Sequence, residues 1–209
     1  TSTLTRGHEW GDDWASYVIQ SKSILSGKTS EFVERNTFTI FESSFQIGPV
    51  AYPWGYPLIL TPVVALKGVH ALTLKLPGLF FFAGFLICLY LLTKDRLTRT
   101  ESLLLVSLFA FNPTLTKFLD YIISDLPFLF FIFLGLLLIA KLKPSTWNFI
   151  TLGAVIFYAF FTRTTGIILL GSFLAYQTLC FYNQSTARKT ILINSALTLF
   201  SFGLLLLIT

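Results

Sequence analysis

Leu76–Leu92 reads LPGLFFFAGFLICLYLL, 17 residues without a charge. A helix of that length rises about 25 Å, enough for a bilayer core of roughly 30 Å once flanking polar residues snorkel toward the headgroups. Similar apolar runs follow at Ser102–Phe118, Leu126–Ala140, Trp147–Phe161, Gly166–Tyr182 and Ile191–Thr209, so the sequence predicts six spans. The composition agrees, with 54% hydrophobic residues, 23 Phe and a mean hydropathy of +0.73. A soluble domain of 209 residues could not cover so much apolar surface. The expected fold class is all-α, a polytopic helical membrane protein with an outer amphipathic-helix head.

Charge is distributed as unevenly as hydrophobicity. Six of the ten acidic residues, Glu9, Asp12, Asp13, Glu31, Glu34 and Glu42, precede position 58. The basic residues behind the net charge of +5 sit mostly in short loops between apolar runs, which excludes a nucleic-acid signature and reports topology instead. Lys94, Arg96, Arg99, Lys141, Lys143, Arg188 and Lys189 fall in one alternating set of loops, against Lys117 and Arg163 in the other. Seven against two places the first set in the cytoplasm and the turns around 112–125 and 162–165 on the outer side. If Leu58–Ala71, a short apolar run interrupted by Pro62, is re-entrant or interfacial rather than spanning, residues 1–57 share that outer side. The expected division is therefore an extracytoplasmic loop with juxtamembrane and re-entrant helices over 1–75 and a bundle of about six helices over 76–209. Thr1 is no initiator methionine and the last residues are still apolar, so the sequence reads as part of a longer chain lacking a first helix and a C-terminal portion. Cys88 and Cys180 lie within apolar runs and read as buried thiols.

In the head, Trp14, Tyr17, Val18, Ser21, Ile24 and Leu25 share one face of a helix that Gly27 would stop. That stripe predicts an amphipathic helix lying on the membrane. The segment 49–57, PVAYPWGYP, is too proline-rich for a helix, and its aromatic residues suit the headgroup layer. Lys67, His70 and Lys75 read as interfacial, and Lys117 and Asp120 as solvated turn charges.

Four groups stand out as candidates for chemistry. Asp12 and Asp13 precede the amphipathic helix, where a carboxylate commonly caps backbone N–H groups; capping accounts for one of them comfortably and for the second less well. Arg163 lies between two apolar runs almost without a polar loop, where a guanidinium is costly and calls for an anion or a wet cavity. Its alternatives are snorkelling to the interface or pairing with Asp125. Asp125 opens a span before Pro127, so it or Ser124 is a natural helix cap as well as a candidate site residue. His8-Glu9 is half of a metal site without a second ligand cluster.

The order GDDWASY at 11–17, Ser26-Gly27, YPWGYPLILTP at 52–62, LKLPGLF at 74–80, FNP at 111–113, SDLPF at 124–128 and FTRTTG at 161–166 resembles the C-type-fold polytopic glycosyltransferases of family 39. Within them it is similar to the protein O-mannosyltransferase and lipid A aminoarabinose transferase branch. The resemblance covers nearly the whole sequence and implies an integral-membrane transferase that moves a sugar from a polyprenyl-phosphate donor to a hydroxyl acceptor. It implies an active site on the outer face of the bacterial inner membrane, serving the cell envelope. Asp13, four residues before Tyr17, would be the catalytic carboxylate, with Asp12 as its fallback because the pair shifts the match by one. Arg163, Asp125, Tyr17, Tyr52 and Tyr56 would bind substrate. Trp54 stands where relatives carry a second Pro or a Lys. The lipid-linked sugar is a substrate rather than a cofactor, and no resident cofactor is specified, although a divalent cation is compatible. Partners would be the donor, a lipid, glycan or protein hydroxyl, and membrane lipids, with no nucleic acid. Physical chemistry asks for the same parts: a base for the acceptor proton and a cation for the phosphate leaving group, with transfer expected to invert the anomeric carbon. The rival reading is a membrane transporter or lipid flippase with Arg163 and Asp125 along the path. A transporter concentrates polar residues at the midplane, whereas this sequence concentrates its acids in the head.

Overall fold

The computed structural model describes residues 4–8, 13–42, 49–141, 145–183 and 188–208, and among them every regular element is helical. The helices are α1 (Trp14–Ser26), α2 (Thr29–Phe41), α3 (Gly55–Lys67), α4 (Ala71–Thr93), α5 (Arg99–Ala110), α6 (Pro113–Phe118), α7 (Asp125–Lys141), α8 (Thr146–Thr162), α9 (Ile167–Asn183) and α10 (Arg188–Ile208), with a 3₁₀ turn at Thr164–Gly166. Three stretches among the described residues, Ala71–Thr93, Thr164–Asn183 and Arg188–Ile208, are long and apolar enough to cross a membrane. Less than a third of each apolar window is buried inside the protein, so most of each helix offers hydrocarbon to its surroundings. The expected spans Leu126–Ala140 and Trp147–Phe161 are helices of 17 residues, α7 and α8, at the short end of what a bilayer accepts.

The expected span Ser102–Phe118 is not one helix. Asn112 adopts extended backbone and its side chain accepts from the N–H groups of Thr114 and Leu115 at 3.0 and 3.2 Å, and Pro113 opens α6. An Asn cap followed by proline at the first helical position starts a new helix, which divides the run into α5 and α6. At the other end α5 carries a reciprocal cap, with Glu101 accepting from the Thr98 N–H and the Thr98 hydroxyl accepting from the Glu101 N–H.

The chain forms two compact units. The first comprises 1–82 and 111–127. Its core is Tyr17 and Val18 of α1, Tyr56, Leu60 and Val64 of α3, Leu74 and Ile122. α1 ends at Ser26 because Gly27 takes the left-handed conformation (φ 67°) that closes a helix C-terminus. α3 begins within the segment expected to be non-helical. Proline in a first turn gives up only an N–H that lacks a helical partner, so Pro57 is accommodated.

The second unit comprises 83–110 and 128–209, cored by Phe149, Leu152 and Ile156 of α8, Leu169 and Phe173 of α9, and Phe202 of α10. α8 and α10 come close because Gly153 faces the Thr198 carbonyl, leaving no space for a Cβ. The Thr198 hydroxyl donates to the Phe149 carbonyl at 3.2 Å and Ser201 to the Ile150 carbonyl at 2.9 Å. Small residues and interhelical hydroxyl bonds are how helices associate in lipid, where apolar burial between them gains little.

Candidate functional site

α1 carries the first unit's distinctive cluster. The stripe expected to rest on the membrane is turned into the protein: Tyr17, Val18 and Ser21 are buried, and Leu25 is exposed. Two polar residues on the buried side organise what surrounds them. Gln20, wholly buried, donates to the Tyr52 carbonyl at 2.9 Å and accepts the Tyr52 N–H at 3.3 Å, so it grips the loop ahead of α3 by its backbone. The Ser21 hydroxyl lies 2.7 Å from the Tyr17 carbonyl and 2.8 Å from that of Pro57, tying α1 to the first turn of α3.

Asp13 stands immediately before α1, but its side chain makes no cap bond and its backbone is αR (φ −69°, ψ −3°) rather than extended. The carboxylate instead accepts the Tyr52 hydroxyl at 2.5 Å. An O–H donated to a carboxylate is short and strong, and it fixes the orientation of the acceptor. The Tyr52 ring packs 5.2 Å from Tyr17, which meets Tyr56 edge-on at 5.0 Å. The Tyr17 hydroxyl is 3.2 Å from the Ser124 Oγ. Gln20 thus positions Tyr52, which holds Asp13 at the start of the helix that carries Gln20.

Of the residues expected to form the site, the structure gathers Asp13, Tyr17, Tyr52 and Tyr56. Tyr17 and Tyr56 are only 4% and 0% exposed, which makes them supports, while Tyr52 and Asp13 are half-buried. Asp125 begins α7, half-buried, and the SDLPF element reaches the tyrosines through Ser124. Asp12 lies outside the described residues. Arg163 belongs to the second unit, in extended backbone between α8 and the 3₁₀ turn. Its N–H bonds to the Ala159 carbonyl at 3.0 Å, its carbonyl accepts from Gly166 at 2.8 Å, and its guanidinium lies 5.9 Å from the centre of the Phe128 ring. A Cβ at Gly166 would overlap the Ala159 backbone, so glycine is what permits this tight return.

Two surface expectations are corrected. Lys75 is not interfacial but completely buried, and its ammonium meets the Thr5 carbonyl at 3.0 Å, the Thr5 hydroxyl at 3.3 Å, the Gly7 carbonyl at 2.7 Å and Asp120 Oδ1 at 2.7 Å. Asp120 is accordingly no solvated turn charge. Burial works against its ionised form, but the bonds from Lys75 and Thr5 outweigh this and hold its carboxyl below the usual range. His8 accepts the Ile122 N–H at Nε2, 2.9 Å away, and its ring lies 4.9 Å from that of Trp14. The segment 4–8, just ahead of the residues leading to Asp13, is therefore pinned at both ends.

Gln20 is the residue that sequence reasoning missed, while Ser21, Ser124, Lys75 and Asp120 were read for other roles than the bonds they make. A polar residue such as Gln20 beside an apolar stripe was the available signal, because burying an amide demands a dedicated partner. No protein-family model matches this chain, and comparisons with curated proteins and with solved structures likewise found no match.

Proposed function

We propose that this chain is an integral-membrane glycosyltransferase that moves a sugar from a polyprenyl-phosphate donor to a hydroxyl acceptor on the outer side of a bacterial inner membrane. Asp13 is its general base. The observation that carries this reading is the state of Asp13: the carboxylate is released from capping and held by a tyrosine that a buried glutamine holds in turn. Such support, from side chains fixed by packing and second-tier hydrogen bonds, is what a reacting group needs and a helix cap does not. The base takes the acceptor hydroxyl proton as that oxygen attacks the anomeric carbon from the face opposite the phosphate, which leaves with the electron pair of the broken C–O bond and gives inversion. The charge that develops on the phosphate needs a cation, and that role falls to Arg163. Apolar helices such as α4, α9 and α10 suit a substrate whose isoprenoid tail never leaves lipid.

Donor binding tests the cation's part. With the full chain reconstituted in lipid, Arg163→Ala is expected to weaken binding of a polyprenyl-phosphate sugar by roughly tenfold to a hundredfold, the range for hydrogen bonds to a charged group. Arg163→Lys should keep part of the affinity, because a point charge replaces a bidentate fork. Unchanged affinity in both variants, at normal yield, would contradict the assignment.

A further inference from the structure

α3 and the first turns of α4 form a helical hairpin whose apex, Gly68 to His70, turns through glycine: Gly68 has φ 70° and ψ −167°, a region essentially closed to other residues. Beside the hairpin runs an open groove of about 470 Å³, walled by Ile59, Val63 and Leu66 on α3 and by Leu76 and Phe80 on α4. Pro62 and Pro77 also line it. Leu66 is 81% exposed and Phe80 72%, so large apolar side chains stand uncovered along its length. Its other wall is not idle, because Ile59 and Val63 pack against the core that holds Tyr17 and Tyr56.

The ends of the groove differ. From Ile59 to Lys67 it is apolar for about 12 Å of helix rise. At the apex Lys67 and Thr73 line it, with His70 next to Gly68, and Lys67 forms no ion pair among the described residues. No carboxylate lines the groove among the described residues. The N-terminus of α4 opens at the same apex, adding the positive end of a helix dipole to the Lys67 charge. α4 is one of the three helices apolar enough to cross a membrane, so its start is where a headgroup layer would lie.

An apolar slot along a membrane helix, ending in helix N–H groups and a lysine with no ion pair among the described residues, suits a lipid chain beneath an anionic headgroup. We propose that this groove binds an anionic membrane phospholipid, its phosphate on Lys67 at the start of α4 and one acyl chain along Ile59, Val63, Leu66, Leu76 and Phe80. The bound chain covers the exposed side of α3 and braces the helix against which the tyrosine cluster packs. The site does not depend on the transferase reading, since neither Asp13 nor Tyr52 lines the groove.

The test is lipid retention. The full chain is reconstituted in nanodiscs of equal phosphatidylglycerol and phosphatidylcholine, released into detergent, and the lipid that stays bound is identified by native mass spectrometry. Phosphatidylglycerol should be retained preferentially. Lys67→Glu should reduce that retention by about tenfold, as expected for reversing a charge at a headgroup, while Lys67→Arg should preserve it. Leu76→Trp, at a half-exposed position on the groove wall, should fill the slot and expel lipid of either headgroup; should that variant not fold, the Lys67 pair decides alone. Equal retention of the two lipids, or the same retention in Lys67→Glu as in the unaltered protein, would overturn the proposal. So would displacement of phosphatidylglycerol by added polyprenyl phosphate at equal concentration, which would assign the groove to the isoprenoid tail.

Discussion

Burying the Lys75 ammonium is costly, and the oxygen atoms of Thr5, Gly7 and Asp120 offset that cost. Asp120 is the one carboxylate among them, so the pair has a definite pH dependence. Its folded carboxyl lies below the ordinary value of 3.8, and the stability it contributes is therefore complete above that value and lost as pH falls through the folded one. Asp120→Asn is expected to lower stability at neutral pH by about 1 to 3 kcal/mol, since the buried cation keeps its neutral partners but loses its counter-ion. Melting curves of both proteins across acidic pH should converge below that carboxylate range; a gap that persists unchanged would show that the pair carries no such linkage. The same ion pair marks a limit of sequence reading. Lys75 and Asp120 are 45 positions apart, and each by itself looks like an ordinary surface charge. Burial belongs to the tertiary arrangement, which no local pattern encodes.

Elements were more legible than their environments. Gly27 ends α1 where the apolar periodicity stops, and Asn112-Pro113 in fact marks a helix start inside what hydropathy alone merges into one span. The stripe on α1 exposed the opposite weakness: periodicity identifies a face that must be covered, and cannot say whether lipid or protein covers it. Here α3 and the loop before it do, through Gln20 and Ser21. The contact of α8 with α10 gives a sharp test at this scale. Alanine ordinarily stabilises a helix by up to about 1 kcal/mol relative to glycine. At Gly153 a Cβ would overlap the Thr198 carbonyl, so Gly153→Ala is expected to destabilise instead, by about 1 to 3 kcal/mol, as overpacking does. A melting temperature equal to or above that of the unaltered protein would contradict the close approach.

At the scale of the molecule, composition alone carried the class: an all-helical chain with helices apolar enough to span a bilayer. The catalytic proposal needs more, namely that a carboxylate at the start of α1 serves chemistry rather than the helix. Sequence spacing left capping and catalysis about equally plausible for Asp13, because Asp is a favoured residue for both. Among the described residues Asp13 makes no side-chain cap bond and accepts the Tyr52 hydroxyl, which is the ground for proposing the second. Asp13→Asn separates them cleanly, since the amide oxygen can still accept the Tyr52 hydroxyl while the proton acceptor is lost. The decisive measurement is sugar transfer from a polyprenyl-phosphate donor to a hydroxyl acceptor by the full chain in lipid, with thermal stability followed alongside. Asp13→Asn should melt normally and turn over roughly 10² to 10⁴ times more slowly; near-normal transfer by that variant would contradict Asp13 as the base.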